Sequence, residues 1–219
     1  MKKELVELLK NSILESKPRK FPQAVDVCVN FKNINFKLPQ NRVDVTVEFP
    51  KPFTKETKVL LFASESGLQH ELKDLVDRVV AIEDIPNLDK KAIKGIAMGY
   101  DLFFAETKAM PIVGKYLGQA LAPRGKMPKL ALPNKNAMSA MIQKEQNSVK
   151  ITNKKGKFLP TVHFKIGTEK MQAEDLALNL STAMEKLLAS LPSKEQNIRS
   201  MYVKTTMGKA LPMEMKLFL

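Results

Sequence analysis

Residues that build disulfides, metal clusters and aromatic stacking platforms are scarce in this sequence. Its 219 residues include one cysteine, Cys28, two histidines and no tryptophan, and aromatic residues make up 6%. One cysteine excludes an internal disulfide and fits a reducing cytosol. So few thiols and imidazoles predict no zinc cluster, because such sites use about four Cys or His ligands. The low aromatic content argues against a binder of single-stranded RNA and favours structured RNA as a partner.

Long apolar runs and nucleotide-binding fingerprints are also missing. No stretch approaches the ~20 apolar residues of a membrane span, and residues 1–12 predict an amphipathic helix instead of a signal peptide. Neither a GxxxxGK[ST] motif nor a GxGxxG motif after the first buried strand is present, so we expect no nucleotide cofactor. The acidic pair Glu83–Asp84 is adjacent in sequence and does not face a common point. The sequence therefore predicts no cofactor, no metal and no catalytic centre.

What the sequence does contain is positive charge. Its 36 Lys and Arg residues against 23 Asp and Glu residues give a net charge of +13. This balance favours a polyanionic partner, because a basic surface attracts nucleic-acid phosphates whatever their sequence. The alternative is a basic soluble protein without a nucleic-acid partner.

Alternating apolar and polar residues predict strands near both ends of the chain. Val25, Val27 and Val29 alternate with polar residues, and the same pattern returns at 42–50 and at 161–166. Strict alternation is typical of an antiparallel sheet with one solvent-exposed face. Three further elements are predicted towards the C-terminus: a hairpin over 147–167 that turns at "NKKGK", a helix with apolar residues at helical spacing, and a strand over 200–206. The apolar residues of this helix are Leu176, Leu180, Met184, Leu187 and Leu188.

The middle of the chain has a different pattern. Apolar strands alternate with helical stretches, the strands at 58–64, 80–84 and 102–107 and the helices at 68–79, 89–100 and 109–121. This alternation predicts βαβ units and a parallel sheet. We therefore predict an α+β domain (split β-α-β, antiparallel sheet with one exposed face) formed by residues 1–62 and 148–219. Residues 63–147 are predicted to form an inserted three-layer α/β domain with a parallel, Rossmann-like sheet.

The charge is divided unequally between these predicted domains. The two terminal segments carry 24 basic and 13 acidic residues, a net charge of +11, whereas 63–147 carries 12 basic and 10 acidic residues, a net charge of +2. We expect the terminal domain to be the main phosphate binder, because the electrostatic footprint of nucleic-acid binding is clustered basic charge.

Two short motifs of the terminal segments carry groups suited to RNA. "KTTMGK" (204–209) places Thr206, Met207 and Gly208 between two lysines; a glycine admits a close backbone, and a hydroxyl can read a 2′-OH. We expect valine at position 208 to weaken mainly the binding of the cognate structured RNA, and to leave the fold intact if the site lies at the exposed end of the last strand. "KPRKFPQ" (17–23) places Lys20 beside Phe21, a phosphate contact next to a sugar or base contact. The alternative for 204–209 is an ordinary strand end. The alternative for 17–23 is a solvated loop whose Phe21 packs in the core.

The stretch "LAPRGKMPKLALPNKN" (121–136) is rigid and basic, with three prolines and no acid. Prolines limit its freedom before binding, so it would lose little entropy on contact with RNA. The alternative is a rigid structural connector.

Three stretches together resemble the ribosomal protein L-one family of the large subunit, in its archaeal form. They are "RKFPQAVDV" (19–27), "LGQALAPRGKMPKLALPN" (117–134) and "SMYVKTTMGK" (200–209). The resemblance covers nearly the whole chain in the family's order. Two positions depart from the family pattern, Ala122 where glycine is typical and Lys209 where proline often stands.

The resemblance implies a non-enzymatic RNA-binding protein of the large ribosomal subunit, located on the ribosome in the cytoplasm. It implies binding of large-subunit rRNA at the mobile stalk near the tRNA exit site, assistance in release of exit-site tRNA, and translational repression of its own operon through the mRNA. The free protein is expected to be a monomer without membrane contact. The alternative is a small-molecule enzyme that uses the inserted α/β domain, since ligands often bind at the carboxyl ends of parallel strands.

The resemblance also assigns candidate site residues. Its implied rRNA and mRNA contacts are Lys20, Phe21, His163, Lys165, Gly167, Thr168, Lys204, Thr206, Met207 and Gly208. A secondary RNA-facing loop is formed by Arg124, Gly125 and Lys126. Considered alone, a histidine on the exposed side of a strand, such as His163, is more often a structural hydrogen-bonding residue than a catalyst.

Overall fold

The computed structural model describes residues 3–52, 57–64 and 72–218. The chain divides into two compact units, Met1–Thr54 with Asn147–Leu219 (unit 1) and Lys55–Gln146 (unit 2). The divisions lie at 54/55 and 146/147, whereas the sequence pattern placed them at 62/63 and 147/148. The first boundary differs because Val59–Ala63 is a fully buried strand that pairs with two strands of unit 2.

The elements of each unit follow in chain order. Unit 1 contains α1 (Lys3–Leu14), β1 (Ala24–Phe31), β2 (Asp44–Glu48), β7 (Ser148–Thr152), β8 (Lys154–Lys155), β9 (Lys157–Phe158), β10 (Thr161–Thr168), α5 (Ala173–Ser190), β11 (Ile198–Thr205) and β12 (Leu211–Met213). Unit 2 contains β3 (Val59–Ala63), β4 (Arg78–Ala81), α2 (Lys90–Gly99), β5 (Leu102–Ala105), α3 (Met110–Leu121), β6 (Lys129–Leu130) and α4 (Lys135–Gln146). Among the described residues, none of the helices has the length and apolar character needed to cross a bilayer.

The main sheet of unit 1 has the strand order β10-β1-β11-β12 and is antiparallel throughout. α5 connects β10 to β11, and β1 lies between these two strands, which is a split β-α-β arrangement. Val25, Val27 and Val29 are fully buried, whereas the residues between them are partly exposed, so the predicted alternation is present. The predicted α+β class with one exposed sheet face is confirmed.

Two helices cover the apolar face of this sheet. Leu5 and Leu9 of α1 and a stripe on α5 that includes Leu176, Leu180 and Leu187 are almost completely buried in one cluster with the valines of β1. Each such leucine contributes roughly 1.5–3 kcal/mol relative to an exposed position. The helix predicted from the spacing of these leucines is present as α5.

A buried amide holds the chain after β2 against this core. Asn179 of α5 is fully buried; its Oδ1 accepts a hydrogen bond from the backbone N of Lys51 at 3.1 Å. Its Nδ2 donates to the backbone oxygens of Lys51 and Ile166, each at 3.0 Å. The amide therefore satisfies its own polar atoms and those of the segment that it fixes, as buried polar groups require.

The predicted hairpin over 147–167 is correct at its turn and wrong in its strand pairing. Gly156 adopts the left-handed conformation with φ of 74°, and β8 and β9 pair around it over two residues each. The flanking strands separate: β7 pairs with β2, and β10 pairs with β1. Pro160 lies immediately before β10 and has no N–H to extend the hairpin, so the chain leaves one sheet and enters the other.

Unit 2 has a parallel sheet with the order β4-β3-β5-β6. Helices α2 and α3 pack on the face that contains Leu60 and Phe62, and α4 packs on the face that contains Leu61. The predicted three-layer α/β class is confirmed. The helix predicted over 68–79 is wrong at its end, because β4 begins at Arg78; residues 65–71 lie outside the described part of the chain.

Candidate nucleic-acid interface

The sheet register of unit 1 brings three predicted segments to one end of the sheet. Ala24, the first residue of β1, lies opposite Thr168, and Val25 lies opposite both Gly167 and Thr205. β1 therefore begins where β10 and β11 end. The basic loop 17–23, the end of β10 and the turn 205–208 meet here, although up to about 190 residues separate them in sequence.

The turn after β11 is tied to the start of β1 by three hydrogen bonds. The backbone N of Thr206 donates to Ala24 O at 3.0 Å, and Thr206 Oγ1 accepts from Ala24 N at 3.0 Å. Thr206 Oγ1 also donates to Ala24 O at 3.4 Å. The hydroxyl thus continues the strand pairing with β1. Met207 follows with 60% of its surface exposed.

Gly208 is required by the protein's own packing. A Cβ at this position would collide with Thr205 Oγ1 and would lie 3.5 Å from Ser16 Cβ. Thr205 is fully buried, and its hydroxyl has no hydrogen-bond partner among the described residues. The condition for valine at 208 to leave the fold intact is not met, because the first atom that it adds meets the buried side chain of Thr205, which must shift.

One buried side chain connects the loop and the turn. Gln23 has no exposed surface, and its Oε1 accepts from the backbone N of Met207 at 3.1 Å. Its Nε2 lies within hydrogen-bond distance of Glu169 Oε2 at 3.1 Å, and of Ser16 Oγ and Lys17 O at 3.2 Å each. The backbone O of Gln23 also accepts from Glu169 N at 2.9 Å.

Loop 17–23 presents its charged and aromatic residues outward. Lys17, Arg19 and Lys20 are exposed, and Phe21 has 47% of its surface exposed. The alternative in which Phe21 packs in the core is therefore wrong. An exposed phenylalanine beside a lysine supplies an apolar contact surface next to a positive charge.

Gly167 and Thr168 lie inside the protein. A Cβ at Gly167 would collide with Leu176 Cδ2 and lie 2.7 Å from Met171 Sδ, so this glycine allows α5 to approach β10. Thr168 is 8% exposed, and its Oγ1 has no hydrogen-bond partner within the described residues. Both residues support the end of β10 and present little surface to a partner.

The exposed face of the main sheet carries the remaining predicted contacts. His163, Lys165 and Lys204 line a concavity of about 520 Å³ together with Asp26, Cys28 and Tyr202. Asp26 lies across from Lys165 on one side and from Lys204 on the other. Cys28 Sγ is 4.0 Å from His163 Nε2. The face is thus a row of basic groups with one acid at its centre.

Burial raises the pKa of Asp26 above its ordinary value, while the charges of Lys165, Lys204 and His163 oppose this shift. Desolvation disfavours the carboxylate more than the neighbouring cations favour it. A negative charge is therefore held at a cost between two lysines.

The rigid loop of unit 2 contains a short turn, Ala122–Arg124, followed by Gly125 with φ of 67°. Arg124 is exposed and donates from Nη1 to Ala120 O at 2.7 Å. Lys126 Nζ donates to Tyr100 O at 2.6 Å and to Ala97 O at 3.3 Å, at the C-terminal end of α2. A cation there stabilises the helix end, so Lys126 has a structural role.

Comparison with protein families identifies the fold's relatives. The model of the "Ribosomal protein L1p/L10e family" matches residues 10–209. The chain belongs to this family. The predicted recognition is confirmed, and this ribosomal family gives no support to an enzyme in the inserted domain.

Curated relatives match nearly from end to end. The chain is 39% identical over 213 residues to "Large ribosomal subunit protein uL1" of Methanosarcina acetivorans, which covers 96% of this chain and 98% of the relative. It is 35% identical to the protein of the same name from Pyrococcus abyssi, over 96% of this chain and 95% of the relative. For the Thermococcus kodakarensis protein the identity is 34%, over 97% and 98%.

Two residues of the candidate interface were missed by sequence reasoning. Gln23 and Thr205 fall on inward-facing positions of the alternating strand patterns of β1 and β11. A polar residue at an inward position must find a partner or remain unsatisfied. That mismatch was the available signal, and it indicates the end of the sheet where the loop and the turn meet.

Proposed function

We propose that the end of the unit 1 sheet, together with its exposed face, binds structured RNA of the large ribosomal subunit. The convergence of Lys20, Phe21 and Met207 at one exposed edge is the observation that carries this proposal. Unit 1 contains 22 basic and 12 acidic residues, a net charge of +10, and unit 2 contains 14 and 11, a net charge of +3. The edge thus belongs to the more basic unit.

The exposed groups divide into two kinds. Lys20, Lys165 and Lys204 supply charge, which acts on phosphates and weakens as salt increases. Phe21 and Met207 supply apolar surface, which packs against sugars or bases and responds little to salt. His163 lies on the same face and offers a ring nitrogen. Gly208 and Thr206 shape the turn, and Gly167 and Thr168 support the end of β10 from inside.

The chain acts in the cytoplasm as a component of the large ribosomal subunit, the assembly named for its uL1 relatives. In this proposal it binds ribosomal RNA at the mobile stalk beside the tRNA exit site and assists release of exit-site tRNA. The free protein is a monomer. Arg124 and Gly125 are the exposed positions of the unit 2 loop that would contact RNA, since Lys126 Nζ donates into its own unit.

The same surface would serve translational repression. The RNA edge is the end of the unit 1 sheet formed by loop 17–23, the end of β10 and the turn 205–208. Because the protein has one such edge, it cannot bind ribosomal RNA and its own messenger there at once, so the two RNAs compete. Excess protein would bind the messenger after ribosomal RNA is saturated. We expect an unlabelled ribosomal RNA fragment to displace the messenger leader competitively, without a ternary complex in a native gel.

The proposal is tested by filter binding of the full chain to a transcript of Methanosarcina acetivorans large-subunit rRNA and to an unrelated RNA duplex, across a salt series. Lys20→Gln and Lys204→Gln should each reduce the salt slope by about one unit on both RNAs. Met207→Ala should weaken only the ribosomal RNA and keep the slope. Lys91→Gln, an exposed lysine of α2, is the matched control. Equal losses for Lys91→Gln and the unit 1 variants contradict the proposal.

A further inference from the structure

Gln23 links the two exposed segments of the RNA edge through one side chain. Its Oε1 holds the backbone N of Met207, and its Nε2 reaches back to Lys17 O, at the start of the loop that carries Lys20 and Phe21. The loop therefore closes on its own last residue, and the turn after β11 is attached to the same carboxamide. The contacts of Gln23 use both ends of the amide, the N–H donors and the carbonyl acceptor.

The direction of the hydrogen bonds at Gln23 is fixed by its neighbours. Met207 N can only donate, and Lys17 O can only accept. Glu169 Oε2, at 3.1 Å from Gln23 Nε2, accepts when the carboxylate is ionised. Because the side chain is fully buried, an inverted or ionised group here would lose these bonds without replacement by water.

We infer that Gln23 is a positioning residue of the RNA site, which holds loop 17–23 and the turn 205–208 in their relative binding geometry through its hydrogen bonds to Lys17 O and Met207 N, with Glu169 Oε2 as a further partner. This inference rests on the proposed RNA-binding function. Gln23 is buried and touches no RNA; it acts through Lys20, Phe21 and Met207. Its contribution is pre-organisation, because segments already held in place lose less freedom when RNA binds.

The inference separates geometry from charge. Loss of the Gln23 contacts removes no lysine from the surface, so the number of phosphates contacted, and with it the salt slope, should not change. Affinity for the ribosomal RNA should fall, since Phe21 and Met207 no longer reach their places together. Binding to an unrelated duplex, which depends on charge, should change little.

Gln23→Glu tests the polarity of the pair. The new carboxylate keeps the acceptor for Met207 N but faces the carboxylate of Glu169, and it cannot donate to Lys17 O. We expect at least tenfold weaker binding of the Methanosarcina acetivorans large-subunit rRNA transcript, at unchanged salt slope and with less than a threefold change on the duplex. Glu169→Gln alone keeps an acceptor for Gln23 Nε2 and should stay within threefold of the wild type.

The double substitution Gln23→Glu with Glu169→Gln restores the pair with its direction reversed, because the amide introduced at 169 donates to the carboxylate introduced at 23. It should recover the part of the loss that comes from the repulsion between the two carboxylates, whereas the bond to Lys17 O stays lost. A double variant that binds no better than Gln23→Glu overturns the inference. If Gln23→Glu alone does not fold, as judged by circular dichroism, the double variant must fold and must bind the transcript with the salt slope of the wild type; failure to do so also overturns it.

The wild-type protein separates this inference from the proposed function. A wild type that binds the transcript and the duplex equally overturns the proposed function and the inference with it. A wild type that prefers the transcript while Gln23→Glu matches its affinity and its preference overturns the inference alone.

Discussion

Gly208→Ala is expected to destabilise the free protein, even though Gly→Ala substitutions often stabilise. The backbone at Gly208 is not among the positive-φ glycines of the described chain, so alanine meets no φ penalty there. Through the unfolded state alone the substitution would stabilise by about 0.4–1 kcal/mol. The added Cβ, however, collides with Oγ1 of the buried Thr205.

Thr205 can move little to relieve this collision. Its side chain is β-branched and fully buried, so another χ1 rotamer is not freely available. Overpacking of this kind costs about 1–3 kcal/mol, which exceeds the gain from the unfolded state. We expect a net loss of about 1–2 kcal/mol in the free energy of unfolding of unit 1.

A double-mutant cycle identifies the cause. Thr205→Ala removes the colliding oxygen and leaves a Cβ that lies 3.4 Å from the new atom, an ordinary contact. In the Thr205→Ala background, Gly208→Ala should cost less than about 0.5 kcal/mol or stabilise, as Gly→Ala does at an unstrained site. In the Thr205→Val background the clash remains, so the full loss should persist.

Urea unfolding followed by circular dichroism measures these differences, and hydrogen exchange of β1 and β11 amides assigns the transition to unit 1. Separate assignment is needed because two units can unfold in separate steps. Additive losses in the Gly208/Thr205→Ala cycle would refute the steric argument. An unchanged stability for Gly208→Ala alone would refute it as well.

Three further substitutions, and one control, have defined outcomes. Thr205→Val should leave stability in urea unfolding unchanged or raise it by about 1 kcal/mol. It replaces a buried hydroxyl that has no hydrogen-bond partner in the described chain with a methyl group. A loss of stability would show that the hydroxyl does make a hydrogen bond. Asp26→Asn should stabilise unit 1 at neutral pH. Because the folded-state pKa of Asp26 is raised, its ionisation costs stability as pH rises through that pKa, and asparagine removes this cost. The stability gain should disappear in acid below the ordinary Asp range, and a gain that grows in acid contradicts this sign. Lys126→Met should destabilise unit 2 by about 1.5–3 kcal/mol, because the hydrogen bonds from Nζ to the end of α2 are lost. Arg124→Met, at an exposed position, is the control and should cost under about 1 kcal/mol. Equal losses would contradict the structural role of Lys126.

The faces of strands and helices could be predicted from sequence, because burial imposes a period on the side chains. β1, β11 and α5 follow their patterns, and their apolar residues lie inward. Pairing partners could not be predicted in the same way. β7 alternates as a hairpin partner of β10 would, yet it pairs with β2, since period alone does not select among strands that each need a neighbour.

The candidate site was predicted by residue type, and its internal supports were not. Lys20, Phe21 and Met207 were predicted as contacts and are exposed at one edge. The reason for Gly208 is the buried side chain of Thr205 in the same turn, and only the fold shows that this side chain points at it. The partners of Gln23, Met207 and Glu169, are distant in sequence, and the pairing of β1 with β10 and β11 brings them together. Sequence motifs predict which side chains a surface offers. The buried side chains that support this surface depend on tertiary contacts, which the motifs do not contain.

Hydrogen exchange of the full chain, with and without a large-subunit rRNA transcript, tests the RNA edge most directly. If RNA binds at this edge, we expect strong protection of the backbone amides in 17–23 and 204–209. The exposed helix α2 of unit 2 should show no comparable change, because it lies in the less basic unit. Protection confined to unit 2, with 17–23 and 204–209 unchanged, would contradict RNA binding at the end of the unit 1 sheet.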